Sequence, residues 1–475
     1  MLVADVSLLQ GFLPETLSVL TLLSLATASV RMGWRWWVQR VLPIIAVSLL
    51  AAIVTNWALD LQSQFDEVIP FKFLVWAAMP LTAIGLVIAG WRYHPRWQRA
   101  VAVAAVPLAL LYAANLVNQF YGYEPTLGDL FGTDLNHQVD AGQLGLQPMP
   151  PAGAPTELGS RTTDVNAHGS AANGNADPNV PGRIPDTVAA VTTTLTPAVQ
   201  SPTTNVSGQV VLHGTVSAIA IPGTESKFNA RTAFVWVPPA FFHTPRPALP
   251  VVVMLAGVPG QPDNMIRAAG ADKTANAYAS AHGGVAPILI FADGNGSFAG
   301  DTECVDGVHG NAETYLTKDV PAFVTQAFGT LTGPAHWGIE GYSEGGTCAM
   351  DLALAHPDVY GTFVDIAGDQ FPNLGTQGDA KATAIANLYG GNPALFDAHD
   401  PMLLINRPQD KSVAGWFEVG TKDHRKGDVA SVLDAAMRQA GLQSQFRQAP
   451  GGHDFPMATI AVSDSFSWLA SRVGA

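Results

Sequence analysis

Gly341-Tyr342-Ser343-Glu344-Gly345 decides how this chain is read. An apolar run, His336–Ile339, precedes it, and a helix-like run, Thr347–His356, follows it. That context is strand, tight turn, helix, with a serine at the apex between two glycines. Such a turn holds the serine backbone in a strained conformation that only small flanking residues tolerate. The hydroxyl then stands clear of the sheet beside the positive end of a helix, which is the arrangement of a nucleophile elbow.

Outward from the elbow, the chain from about Gly208 reads as α/β. Strand-like runs fall at Gln209–Ile221, Thr232–Val237, Pro250–Leu255, Pro287–Phe291, His336–Ile339, Thr362–Ile366, Gly415–Val419 and Gln443–Gln448. Helix-like runs at Ala312–Phe328, Asp428–Ala440 and Ala458–Val473 alternate with the later strands. Continuous apolar runs such as Val251–Leu255 suit parallel strands buried on both faces. Early antiparallel strands followed by β/α alternation form the plan of an α/β-hydrolase domain, expected over residues 207–475.

Acyl transfer through serine needs a nucleophile, a base, an acid that orients the base, and an oxyanion site. The hydrolase plan orders the first three serine, acid, histidine along the chain. Ser343 is the expected nucleophile. His453, in Gly451-Gly452-His453, follows the last strand and precedes the last helix, and its imidazole titrates near neutrality, so it is the expected base. His424 is the alternative. Asp423 closes a strand and opens a loop, so it is the expected acid, with Glu418 and Asp369 as alternatives. Two backbone N–H groups should form the oxyanion site: Glu344, and Val258 or Gly257 in Ala256-Gly257-Val258-Pro259-Gly260. A carboxylate at Glu344 would oppose an oxyanion unless it points away or is paired. Cys304 and Cys348, the two cysteines of the chain, are a candidate disulfide that would pin the loop Asn295–Asn311 beside the site. Asp293, Asp301, Glu303 and Asp306 cluster in sequence, but such Gly/Asn/Asp-rich loops commonly lack an ion, and no metal is expected.

The other half of the chain differs in composition. Over 475 residues the charged fraction is 13% and the mean hydropathy is +0.19, values that point to a membrane portion. Four apolar stretches, Leu8–Val30, Val41–Leu59, Phe71–Ala89 and Ala100–Leu116, approach the length of a bilayer-crossing helix, and residues 1–120 are expected to form an all-α bundle of four spans. Trp34, Trp36, Trp37, Trp57, Trp76, Trp91 and Trp97 lie near their ends, as interfacial anchors do. Arg31, Arg35 and Arg40 fill one connection and Arg92, Arg96 and Arg99 another. Asp5, Asp60, Asp66 and Glu67 lie on the opposite side. The positive-inside rule then places the basic loops in the cytoplasm and the hydrolase outside it, in a multi-pass plasma-membrane protein. A Pro-, Gly-, Ala- and Thr-rich stretch within residues 121–206 is expected to be a flexible extracytoplasmic linker. The net charge of −14 argues against nucleic acid as a partner.

With the elbow, Met254–Gly260, Gly420–Asp423 and Gly451–His453 assembled, the region from Gly208 onward resembles the putative-esterase family of α/β-hydrolases, which includes S-formylglutathione hydrolases and the antigen 85 mycolyltransferases. The whole layout is similar to membrane-bound actinobacterial esterases. The resemblance implies a Ser343–Asp423–His453 triad, cofactor-free acyl chemistry, and an ester or acyl-lipid substrate. Antigen 85 proteins carry a glutamate as acid and lack the second elbow glycine. Asp423 and Gly345 therefore lean towards the esterase branch. Two function classes follow: a membrane-anchored serine esterase or mycolyltransferase-like acyltransferase, and a catalytically silent membrane scaffold.

Overall fold

A computed structural model describes residues 6–30, 34–58, 70–131, 135, 138–146, 213–374, 380–407 and 412–475. Among them are four helices long and apolar enough to cross a membrane: α1 (Phe12–Ser29), α2 (Trp34–Ala58, with a π-helical turn at Trp37–Val41), α3 (Phe71–Gly90) and α4 (Arg96–Tyr121). Helices α2 and α4 begin earlier than the hydropathy suggests, because Arg, Gln and Trp at their ends continue a helix without adding apolar character. The surfaces between helices are built from small residues. Ala28, Ala83, Ala102, Ala105 and Ala109 are buried, whereas Leu22, Val47, Leu50, Ile88 and Leu110 face outward. Close backbone approach through alanine, with large apolar side chains on the outside, is how helices pack in lipid.

The C-terminal part is an α/β-hydrolase-like domain with a mixed sheet. Its strands are β1 (Thr215–Ile219), β2 (Ala233–Val237), β3 (Val251–Leu255), β4 (Ile288–Phe291), β5 (Trp337–Tyr342), β6 (Thr362–Ile366), β7 (Ala414–Gly420) and β8 (Gln443–Ala449). Among the described residues they form one eight-stranded sheet in the order β1-β2-β4-β3-β5-β6-β7-β8. The β1–β2 and β2–β4 pairs are antiparallel and the rest parallel. Every residue of β3, β4, β5, β6 and β7 is buried, as befits strands covered on both faces. Helix α5 is a single turn at Leu127–Leu130. Helices α6 (Ala271–Ala281), α7 (Val320–Phe328), α8 (Glu344–Ala355), α9 (His424–Gln439) and α10 (Phe455–Val473) complete the layers, with α8 along β5 and β6 and α9 along β7 and β8. Three short helices at Ala380–Asn387, Pro393–Ala398 and Pro401–Ile405 lie between β6 and β7 and are absent from the sequence reading, each too short for a periodic signal.

The expected linker is corrected in its first part. Residues 147–206 and the strand-like 209–212 lie outside the described residues. Of the remainder, Leu135 and Leu144 join the hydrolase core and Tyr123, Val139, Ala141 and Leu146 pack against it. Gln138 bridges to Val216, Val139 N–H donates to the Val216 carbonyl at 2.9 Å, and Arg246 Nη2 donates to the carbonyls of Leu144 and Gly145. A handful of well-placed apolar residues is enough to dock this segment, although its composition reads as a tether.

Two glutamates sit in the sheet interior. Burial pushes the Glu340 carboxyl up to about 8, with Ser465 Oγ–H as its donor at 3.3 Å, and burial pushes Glu418 up to about 7. Both titrate near 4.5 when unfolded. The folded state therefore binds more protons between these values, and stability falls as pH rises from about 4.5 towards 8. Replacing Glu340 by glutamine, which mimics the protonated form, is expected to raise the melting temperature by about 2–4 °C at pH 8 and to leave it unchanged at pH 4.5. Equal shifts at both pH values in thermal melts would refute the buried-acid account.

Candidate active site

The elbow forms where β5 meets α8. Ser343 has φ 60° and ψ −124°, a conformation that L residues rarely adopt, and its N–H donates to the Ile366 carbonyl at 2.8 Å. Gly345 passes so close to the end of β3 that a Cβ there would strike the Leu255 carbonyl oxygen, and one on Gly341 would strike Gly345. The two glycines thus let the turn nest against its neighbours.

Three loops converge on the hydroxyl. His453 Nε2 lies 2.8 Å from Ser343 Oγ, and His453 Nδ1 lies 2.9 Å from Asp423 Oδ2. With Asp423 accepting from Nδ1–H, Nε2 is left to accept the serine proton. Asp423 also caps α9 through Lys426 N–H at 3.2 Å. Burial opposes its ionisation, but the hydrogen bond and charge of His453, followed by Lys426, hold its carboxyl below the usual range. The His453 loop is held in turn by Lys422 N–H to the Gly451 carbonyl and by Asp454, which caps α10. The structure thus brings Ser343, His453 and Asp423 together.

The alternatives are placed elsewhere. Asp369 is engaged by Lys426 Nζ at 2.6 Å and Arg425 at 3.3 Å. Glu418 accepts from Trp416 Nε1 at 2.8 Å inside the sheet. His424 is exposed on the first turn of α9. A second histidine–aspartate pair, His399 Nδ1 to Asp351 Oδ2 at 2.8 Å, was not read from the sequence. Its imidazole faces Glu313 at 3.5 Å rather than a serine hydroxyl. Burial opposes protonation of His399, but these two acids push it up to about 10.

Glu344 N–H stands at the start of α8, where helical N–H groups have no partner within the helix. The loop holding Val258 lies against the nucleophile: a Cβ on Gly257 would be 2.8 Å from Ser343 Cβ. The Glu344 side chain turns to Asn295, whose Nδ2 donates to Oε2 at 3.1 Å, and to the sulfurs of Cys304 and Cys348. Burial, then the nearby Asp301 charge, pushes this carboxyl well above its ordinary value. Burial thus favours its uncharged form, and the side chain is turned to Asn295 and the two sulfurs. Cys304 and Cys348 are joined in a disulfide, so their sulfurs are not free to ligate a metal together with Glu344. The acids 293, 301, 303 and 306 do not form one set of ligands: Asp293 accepts from Arg231 Nη2 at 2.6 Å and from Arg231, Asn295 and Gly296 N–H groups, and Asp306 accepts from Thr314.

Residues 226–462 match the family described as Putative esterase. An uncharacterised protein of Corynebacterium glutamicum is 36% identical over 272 residues, covering 56% of this chain, and this chain spans 62% of that relative's length. Among solved structures, a ferulic acid esterase is similar at 17% identity (TM-score 0.47, 55% of this chain and 98% of that one). An S-formylglutathione hydrolase from Agrobacterium tumefaciens is similar at 19% identity (TM-score 0.47, 56% and 98%).

Proposed function

We propose that this chain, which belongs through residues 226–462 to the putative-esterase family of α/β-hydrolases, is a membrane-anchored, extracytoplasmic serine enzyme that hydrolyses or transfers the acyl groups of cell-envelope lipid esters. That it hydrolyses esters or transfers acyl groups follows from the family. The hydrogen-bonded line Asp423–His453–Ser343 carries the assignment of residues. His453 Nε2 takes the Ser343 proton as Oγ attacks the ester carbonyl. The carbonyl oxygen gathers negative charge between the N–H groups of Glu344 and Val258. Collapse expels the alcohol, which receives the proton from His453 and leaves an acyl-serine. Water or an acceptor alcohol then gives its proton to His453 and attacks the acyl carbon, releasing Ser343. Asp423 fixes the imidazole tautomer and steadies the imidazolium. The Cys304–Cys348 bond would tie the Asn295 loop to α8, one turn from the nucleophile.

The anchor and its orientation rest on α1–α4 and on charge. Trp36, beside Arg35, packs against Tyr93 and His94, which gathers the two basic connections at one end of the bundle, the end remote from Tyr121 and the hydrolase. By the positive-inside rule that end is cytoplasmic. The purified full-length protein is expected to react with a fluorophosphonate probe at Ser343 and to cleave p-nitrophenyl esters over a defined range of chain lengths. Intact cells are expected to label with a membrane-impermeant form of the probe. A folded sample that takes no label overturns the serine mechanism, and label that enters only after permeabilisation overturns the orientation.

A further inference from the structure

The end of the last apolar helix reaches into the candidate site. Helix α4 stops at Gly122, whose φ of +76° turns the chain, and whose missing Cβ would otherwise lie 2.9 Å from Pro456 Cδ and 3.4 Å from Phe455 Cβ. Those residues stand two and three positions after His453. Asn118 locks the turn, its Oδ1 accepting from Glu124 N–H and its Nδ2 donating to the Glu124 carbonyl, both at 2.8 Å. Tyr123 is thereby aimed at two catalytic loops. Its ring packs edge-on against Phe455 at 5.1 Å, and Phe455 packs on Tyr342, which itself lies 5.1 Å from the His453 ring. Its O–H donates to the Pro259 carbonyl at 3.2 Å.

That carbonyl belongs to the peptide unit after Val258–Pro259. The other side of the same unit, Gly260 N–H, donates to the Phe298 carbonyl at 2.9 Å, and the Gly260 carbonyl accepts from Arg231 Nη1 at 2.8 Å. Three ties therefore hold the loop that lies on Ser343, and one of them comes from the residue just past the end of α4. Arg267 adds a bridge between the two parts, reaching Asp263 at 2.7 Å and Asp129 of α5 at 3.2 Å.

We propose that Tyr123 is a positioning residue for the oxyanion site: through the Pro259 carbonyl it fixes the loop that presents the Val258 N–H, so that the end of α4 is a working part of the active site. This rests on the reading of Ser343 as nucleophile and of Val258 as donor. The value of an oxyanion donor depends on its placement before the charge develops, so a loosened loop lowers the rate of the chemical step without weakening ground-state binding.

The test compares full-length wild type, Tyr123→Phe and Tyr123→Ala in detergent, with p-nitrophenyl butyrate as substrate and a trifluoromethyl ketone as mimic of the tetrahedral adduct. The phenylalanine variant keeps the ring and loses one neutral hydrogen bond. Its kcat is expected to fall about three- to tenfold at unchanged KM, with the ketone weakened by the same factor and an unchanged melting temperature. The alanine variant is expected to fall further, by up to about 100-fold. Wild-type turnover with kcat and ketone affinity unchanged in Tyr123→Phe overturns the positioning role and leaves the triad standing, even if Tyr123→Ala fails to fold. A folded wild type that neither labels nor turns over ester overturns the triad reading and this one with it.

Discussion

Alanine at Ser343 is expected to abolish fluorophosphonate labelling and to lower kcat for p-nitrophenyl esters by about 10⁴- to 10⁶-fold. In the proposed mechanism the hydroxyl oxygen bonds to the acyl carbon, and His453 Nε2, 2.8 Å away, is placed to remove its proton. Alanine at His453 is expected to have an effect of similar size, since an unassisted serine hydroxyl is a poor nucleophile at neutral pH. The two losses should not add. With either partner gone the other has no function, so the double variant is expected to match the single ones within about tenfold. Neither change creates a large cavity: Ser343 loses one oxygen, and His453 sits in a loop held by its own glycines and by Asp454. Retained melting temperature alongside the loss of turnover is therefore part of the expected result. A Ser343→Ala protein that keeps even a hundredth of the wild-type rate would assign the chemistry to another residue.

Asparagine at Asp423 is expected to lower kcat by about 10⁴-fold, with little change in KM. An amide in place of the carboxylate presents either an N–H or a carbonyl oxygen to His453 Nδ1. The first forces the imidazole proton onto Nε2, where it faces Ser343 and blocks proton removal. The second removes the negative charge that steadies the imidazolium. Asp423 is suited to this task because its carboxyl is held below the ordinary range and stays ionised across the pH range in which a histidine titrates. The corresponding changes at Asp369 and Glu418 supply the contrast. Asp369→Asn is expected to remove one ionic partner of buried Lys426 and so to act on stability, and Glu418→Gln to resemble the protonated form that burial favours inside the sheet. If either variant, with its melting temperature preserved, lost activity as deeply as Asp423→Asn, the acid would have been misassigned.

The elbow and its sheet were legible because each carries a local signature. Val251–Leu255 and Ile288–Phe291 are unbroken apolar runs, and the glycines around Ser343 report a backbone that no larger residue would fit. The proposed triad could be ordered because the plan of the fold fixes which loop delivers each member. What escaped were pairings between distant segments with no periodic trace. Arg231 with Asp293 joins residues 62 apart, and Tyr123 with Pro259 joins residues 136 apart. The burial of Glu344, which pushes its carboxyl above the ordinary value, was equally hidden, since a carboxyl in sequence says nothing of the water removed from it. The segment 121–146 was misread for a related reason. Its Gly, Pro and Asn content signals a tether, but its conformation is decided by a few contacts, Leu135 and Leu144 in the core and Asn118 at the turn, that composition averages away.

The docking of residues 138–146 on β1 changes what the following stretch can do. Gln138 and Val139 are tied to Val216, and the described chain resumes only two residues before Thr215 opens that same strand. The described residues that flank 147–212 are thus both held at the β1 edge of the sheet, and the placement of Ser343 relative to α4 is set by the docked segment. The height of the serine above α4 is set by the short joint at Gly122–Glu124. If α1–α4 cross a bilayer as proposed, such an enzyme would be a ruler rather than a ball on a string, reaching esters at one set distance from the lipid surface.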